Sequence, residues 1–134
     1  METASDIKGA DPELSMFAPD NHWMAEPARL IRYSLRCDGF VSLHAGDKEE
    51  TVVTKAFTFT GSELYINFAT SAWGYLYITL VAEDGTRVES GEIFGNKIDR
   101  KVAFPEGSVE ALSGKTVTME ARMRDADFYS MQFK

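Results

Sequence analysis

The sequence is poor in residues that carry covalent or nucleophilic chemistry: it has one cysteine, Cys37, and two histidines, His22 and His44. One thiol cannot form an internal disulfide, so no disulfide framework holds this chain together. A nucleophilic cysteine would need a partnering histidine, and neither histidine lies in a recognisable Cys/His signature. We therefore interpret Cys37 as a small, half-buried residue beside a strand.

Positive charge is also scarce, since 14 Lys and Arg stand against 21 Asp and Glu for a net charge of −7. An acidic domain repels phosphate groups, so we expect neither nucleic acid nor an anionic membrane as a partner. No stretch approaches the roughly 18 apolar residues of a membrane span. The N-terminus has no basic segment followed by an apolar run, so we expect no secretory signal. The localisation stays open, because the chain could be a fragment of a longer protein, either secreted or cytoplasmic.

Catalytic motifs are missing as well. The sequence contains no phosphate-binding loop, no Gly-x-Ser-x-Gly elbow, no His-Glu-x-x-His helix and no Cys-x-x-Cys pair. A glycosidase needs two carboxylates that face each other across a cleft. Because no pair among the 21 acidic residues is singled out, we predict that the isolated chain is not an enzyme and has no catalytic residue.

The length of 134 residues and the hydrophobic fraction of 44% are typical of a globular domain that buries a core without needing disulfides or metal ions. Residues 1–30 hold three of the four prolines and show no alternation of apolar and polar residues. We expect this segment to be an irregular lead-in or linker packed on the domain through Phe17, Trp23 and Met24, with Trp23 as an anchor. Residues 31–134 are predicted to form the domain itself.

Apolar and polar residues alternate in the segments 62–68, 74–80 and 115–123, which predicts strands with one buried and one solvated face. Turn residues separate these and several weaker strand segments, and residues 108–112 can form a single helical turn at most. The fold class is therefore all-β: an antiparallel β-sandwich of jelly-roll type with roughly eight strands. The predicted core residues are Val41, Leu43, Phe57, Phe59, Leu64, Ile66, Phe68, Leu76, Ile78, Leu80, Val117, Met119, Ala121, Tyr129, Met131 and Phe133.

Four segments resemble a known family in their order and spacing: RYSLRCDGFVSL at 32–43, VTKAFTF at 53–59, LYINFATS at 64–71 and DADFYSMQF at 125–133. Together they are similar to the C-terminal β-sandwich accessory domain of bacterial glycoside hydrolases and hydrolase-like proteins. The resemblance implies a sandwich that follows a catalytic domain and sometimes binds carbohydrate. It implies no catalytic residue here, because the catalytic carboxylates of such enzymes lie in the upstream domain.

The sequence departs from the family pattern at two places. The connection over 88–97 is shorter than expected, and Tyr75 and Tyr77 are bulkier than the usual residues. Both departures indicate a face that is specific to this protein.

Aromatic and polar residues on the outward side of two strand segments suggest a glycan site. If 62–68 and 74–80 pair as a hairpin through the link 69–73, their tyrosines share one face. Aromatic rings cover the C–H patches of a sugar, while flanking polar groups orient its hydroxyls. Alternatively, the tyrosines stabilise the sheet by cross-strand pairing or pack on a catalytic domain. The candidate carbohydrate-binding residues are Tyr65, Asn67, Trp73, Tyr75, Tyr77, Glu120 and Arg122.

Asp125 and Asp127 flank Ala126 at the start of the last strand. Hard oxygen ligands at a strand end could hold a structural Ca²⁺, although solvated carboxylates explain the same pattern. We predict no other cofactor.

The first functional hypothesis is a non-catalytic carbohydrate-binding accessory module of a polysaccharide-degrading enzyme, with a polysaccharide or oligosaccharide as its partner. The alternative is a purely structural β-sandwich domain that packs on a glycoside hydrolase catalytic domain in the parent chain.

Overall fold

A computed structural model describes residues 1–21 and 27–134, which divide into two compact units, Met1–Phe40 and Val41–Lys134. The predicted all-β class with antiparallel sheets is confirmed, since every strand pairing of the described residues is antiparallel. The predicted helical turn is a short 3-10 helix, Glu110–Leu112. No helix in the described part of the chain is long and apolar enough to cross a membrane. The expected anchor Trp23 and its neighbour Met24 lie outside the described residues.

The first unit is a three-stranded sheet in the order β1-β2-β3, with β1 at Glu2–Thr3, β2 at Glu13–Asp20 and β3 at Arg29–Arg36. The expectation that residues 1–30 are irregular was therefore wrong. Two of the three prolines directly precede or lie between the strands, so they do not interrupt β2. The Arg32 guanidinium donates hydrogen bonds to Ser15 Oγ at 2.8 Å, which ties β3 to β2 on one face.

The second unit is a seven-stranded sheet built around one long pair of strands, β7 and β10. Along its other edge, β10 pairs successively with β6, β5 and β4, while β7 pairs with β9 and β8. The strands are β4 at Leu43–Ala45, β5 at Glu50–Val53, β6 at Phe57–Thr58, β7 at Leu64–Ala82, β8 at Arg87–Glu89, β9 at Asn96–Lys101 and β10 at Thr116–Phe133.

The segments 62–68 and 74–80 do not pair with each other as a hairpin, because both belong to the continuous strand β7. The link between them contains none of the turn dipeptides that favour a tight hairpin. Instead, it forms an irregularity in the ladder. Thr70 lies opposite Ala126 and Tyr75 lies opposite Arg124, so residues 71–74 of β7 face the single residue Asp125 of β10. We call residues 71–74 together with Asp125 the bulge.

Close backbone contact holds the bulge in place. A Cβ atom added to Gly74 would lie 2.2 Å from the Asp125 carbonyl oxygen, so only glycine fits there. Asp125 has a positive φ of 45°, which Asp tolerates better than most residues. Its N–H donates to the Gly46 carbonyl at 2.7 Å, and its carboxylate accepts a hydrogen bond from the Ser71 hydroxyl. The bulge is therefore fixed from both sides of β10.

The alternation predicted for the segments 62–68, 74–80 and 115–123 is confirmed, because their apolar residues are buried in one hydrophobic cluster that also contains Phe59: Leu64, Ile66, Phe68, Leu76, Ile78, Leu80, Val117, Met119 and Ala121. Phe57 and Phe133 are partly buried against that cluster, where the Phe59 and Phe133 rings stack at 3.9 Å between centroids. Beyond Asp125 the inward phase of β10 changes, because β7 has three more residues than β10 at the bulge and an odd difference moves the pairing to the other face. A second irregularity follows at Tyr129, which lies between the pairs Phe128–Phe68 and Ser130–Asn67.

The change of phase explains part of the failure of the predicted core. Phe128 is buried in place of Tyr129, which is half-buried. Met131 is 37% exposed although it lies opposite the buried Ile66, so the change of phase does not account for it. Val41 and Leu43 were also predicted as core residues, yet they are 77% and 44% exposed at the start of the unit. Leu43 lies in the short edge strand β4, which pairs with residues 126–128 of β10.

We expect Gly74→Ala to destabilise the protein by roughly 2–3 kcal/mol, because the added methyl group collides with backbone that cannot move without breaking the ladder. Urea denaturation followed by circular dichroism measures the change. Gly46→Ala is the matched control, since a Cβ at Gly46 meets no atom within 4 Å. Equal stability of the two variants would contradict the proposed close packing.

Candidate functional site

Tyr75 and Tyr77 project from β7 on the side opposite the buried Leu76 and Ile78. The register places Arg124 opposite Tyr75, Arg122 opposite Tyr77 and Glu120 opposite Thr79. Side chains opposite each other in an antiparallel pair lie on the same face. The structure thus brings together four of the predicted site residues. We define the tyrosine face as this surface and its neighbours: Tyr75, Tyr77, Glu120, Arg122, Arg124, Arg87, Glu49, Glu89, Glu92 and Phe94.

Each tyrosine hydroxyl donates a hydrogen bond to a glutamate. Tyr75 donates to Glu49 at 2.7 Å, and Tyr77 donates to Glu92 at 2.9 Å. These carboxylate acceptors, and secondarily burial, raise the pKa of both tyrosines above the usual range, because they favour the protonated hydroxyl. The two rings meet edge to face, with centroids 5.7 Å apart and planes at 66°. They cannot both stack on one flat sugar surface.

Arg122 joins the strands of the tyrosine face. Its guanidinium lies 4.5 Å from the centroid of the Tyr77 ring, in cation–π geometry. The same group approaches Glu49 at 3.4 Å and Glu89 at 3.6 Å. Arg87 continues the network, with Glu89 at 3.6 Å and Glu120 at 3.5 Å. Exposed ion pairs each contribute only about 0–1 kcal/mol, so the network mainly orders these side chains.

Two aromatic rings of the second unit are open to solvent. Trp73 lies in the bulge and is 85% exposed, and Phe94 is 69% exposed. The antiparallel bridge between Leu76 and Ile93 brings Phe94 alongside Tyr75. Phe94 was not among the residues predicted to bind carbohydrate, because it lies in an irregular connection. The unusual length of that connection, 88–97, was the available signal.

Tyr65 and Asn67, two further predicted site residues, do not belong to the tyrosine face. Tyr65 lies on the other side of the bulge, where its hydroxyl donates to Glu63 at 2.7 Å and its ring meets the Lys134 ammonium at 4.1 Å. Asn67 is only 2% exposed. Their predicted place on the glycan-binding face depended on the hairpin that the structure does not contain.

The two carboxylates proposed for calcium each have protein partners. Asp127 accepts a hydrogen bond from Ser42 Oγ at 2.7 Å and lies 3.1 Å from His44 Nδ1, while Asp125 is bound by Ser71. Within residues 1–21 and 27–134, no three or more His, Cys, Asp or Glu side chains gather in a way that could hold a metal ion. These polar contacts therefore connect β4, the bulge and β10.

Comparisons of the chain with protein-family models, with curated proteins and with solved structures found no significant match. A function for this chain is therefore inferred from its geometry and from the resemblance carried by its four sequence segments.

We expect Tyr75 and Tyr77 to ionise at higher pH than free tyrosine, so the protonated pair stabilises the fold at neutral pH. This contribution is lost as the pH rises through the raised pKa values. Glu49→Gln should lower the pKa of Tyr75, because the charged acceptor is its main cause. A pH titration of phenolate absorbance, with Tyr75→Phe to assign the signal, measures this change. An unchanged titration in Glu49→Gln would show that the hydrogen bond is absent; Glu92→Gln provides the same test for Tyr77.

Proposed function

We propose that the chain is a non-catalytic carbohydrate-binding module that accompanies a polysaccharide-degrading enzyme, as its resemblance to bacterial glycoside hydrolase accessory domains implies. The observation that carries this proposal is the exposure of Trp73 and Phe94 beside a fixed array of polar groups. Large exposed aromatic rings are costly in water unless a ligand covers them, and a pyranose ring is a suitable cover. Surrounding carboxylates and guanidinium groups can accept and donate hydrogen bonds to sugar hydroxyls.

The proposed binding surface differs from the tyrosine platform suggested by the sequence. Both tyrosine hydroxyls are engaged by glutamates, and Arg122 covers one side of the Tyr77 ring. We therefore assign stacking to Trp73 and Phe94, and a supporting role to Tyr75 and Tyr77. The module itself would be a β-sandwich of jelly-roll type, because both halves of β7 contribute to a single core on either side of the bulge.

A structural domain without a glycan ligand is the second candidate. Val53, at 58% exposure, lies in the row of Glu120 and Thr79 and adds apolar surface to that of Trp73 and Phe94. A catalytic domain in the parent chain could cover this surface instead of a sugar. Under this alternative, the same aromatic residues would form a protein interface, and the isolated chain would bind no polysaccharide.

The isolated chain should be retarded by soluble polysaccharides in affinity electrophoresis, with calorimetry giving the affinity for any that bind. Trp73→Ala and Phe94→Ala should each weaken binding by about tenfold, because each removes an exposed stacking surface. Tyr65→Ala is the matched control, as it removes an aromatic ring from the other side of the bulge. Thermal melting verifies that each variant is folded.

Unchanged affinity of Trp73→Ala and Phe94→Ala would place the ligand elsewhere than on these two rings, and an equal loss in Tyr65→Ala would show that the effect is not specific to them. No binding to a broad panel by the wild-type chain would favour the structural domain over the carbohydrate-binding module.

A further inference from the structure

The three arginines of the tyrosine face differ in how their charge is balanced. Arg87 and Arg122 each approach two glutamates. Arg124 is exposed on the same face, and no carboxylate of the described residues lies within ion-pair distance of it. Among residues 1–21 and 27–134, no carboxylate pairs with the charge of its guanidinium.

Arg124 occupies a special position among the exposed rings. It lies opposite Tyr75, which is beside Phe94, and it directly precedes Asp125, the residue that faces the Trp73 segment of the bulge. The Glu49 carboxylate already accepts a hydrogen bond from the Tyr75 hydroxyl and approaches Arg122. A planar guanidinium matches a carboxylate with two parallel hydrogen bonds, which a lysine or an amide cannot reproduce.

We infer that the tyrosine face binds an acidic sugar, in which the pyranose ring covers Trp73 or Phe94 and the carboxylate of a uronic acid unit contacts Arg124. This inference rests on the proposed function and names the substrate class of the same site. Arg124 is the specificity-determining residue.

The charges of the rest of the chain oppose this ligand only weakly. The net charge of −7 repels a polyanion at long range, but physiological salt screens exposed charges beyond about 8 Å. Glu92 is the carboxylate of the face that has no cationic partner among the described residues, and it binds Tyr77 rather than Tyr75. The anionic group of the ligand is therefore expected at the Tyr75 end, close to Arg124 and away from Glu92.

The test compares uronic acid polysaccharides, such as polygalacturonate, alginate and hyaluronate, with their carboxyl-reduced forms, which keep the polymer but lose the charge. The folded full chain should bind at least one acidic polymer about tenfold more tightly than its reduced form. Arg124→Gln should abolish this preference, because it should weaken binding of the acidic polymer by about tenfold more than binding of the reduced form. Raising the salt concentration should weaken binding of the acidic polymer by the wild type more than by Arg124→Gln.

Arg100→Gln is the control, because it makes the same change of charge in β9, outside the tyrosine face. Equal affinity of the wild type for acidic and reduced polymers, or equal effects of Arg124→Gln and Arg100→Gln, would overturn the inference. In either case, binding of neutral polymers that depends on Trp73 would leave the proposed function standing. An absence of binding to every acidic, reduced and neutral polymer would remove the inference and the proposed function together.

Discussion

The close approach of Gly74 to the Asp125 backbone is the constraint on which the second unit depends. Four residues of β7 face one residue of β10 at this point, so the two longest strands stay paired on both sides of an interruption. An interruption of this kind bends the strands and increases their twist. It allows one strand to supply both Ile66 and Ile78 to the same core. It also leaves Trp73 exposed to solvent, two residues before Tyr75 in β7.

The local pattern of the sequence was sufficient wherever a strand runs without interruption. Leu64, Ile66 and Phe68, and likewise Val117, Met119 and Ala121, alternate with polar residues and are buried as predicted. Period-2 alternation is a property of the backbone itself, so it needs no knowledge of the partner strand. The prediction failed where the partner decides the phase. The bulge adds three residues to β7 relative to β10, and a second irregularity adds Tyr129 to β10, so that Phe128 rather than Tyr129 is buried.

The candidate site was predictable only in part, for a related reason. Tyr75, Tyr77, Glu120 and Arg122 come from two regular strands, whose adjacency the sequence analysis considered. Glu49, Glu92 and Phe94 come from connections, and their positions depend on contacts between segments that are distant in sequence. Tyr65 was misplaced because a hairpin and a continuous strand give the same alternation. Only the identity of the partner, β10 rather than the neighbouring segment, separates the two.

The ordered polar network bears on what the tyrosine face is for. Its ion pairs are exposed and add little to the free energy of folding, while fixing Arg122 and Glu49 in one arrangement restricts long, flexible side chains. Because these side chains are already ordered, they would lose less entropy when a ligand binds. The network therefore suits the binding of a ligand better than it stabilises the fold. The hydroxyls of Tyr75 and Tyr77 are already engaged by carboxylates. In the proposed glycan complex, new contacts would come from the groups that the network leaves open: the rings of Trp73 and Phe94 and the guanidinium of Arg124.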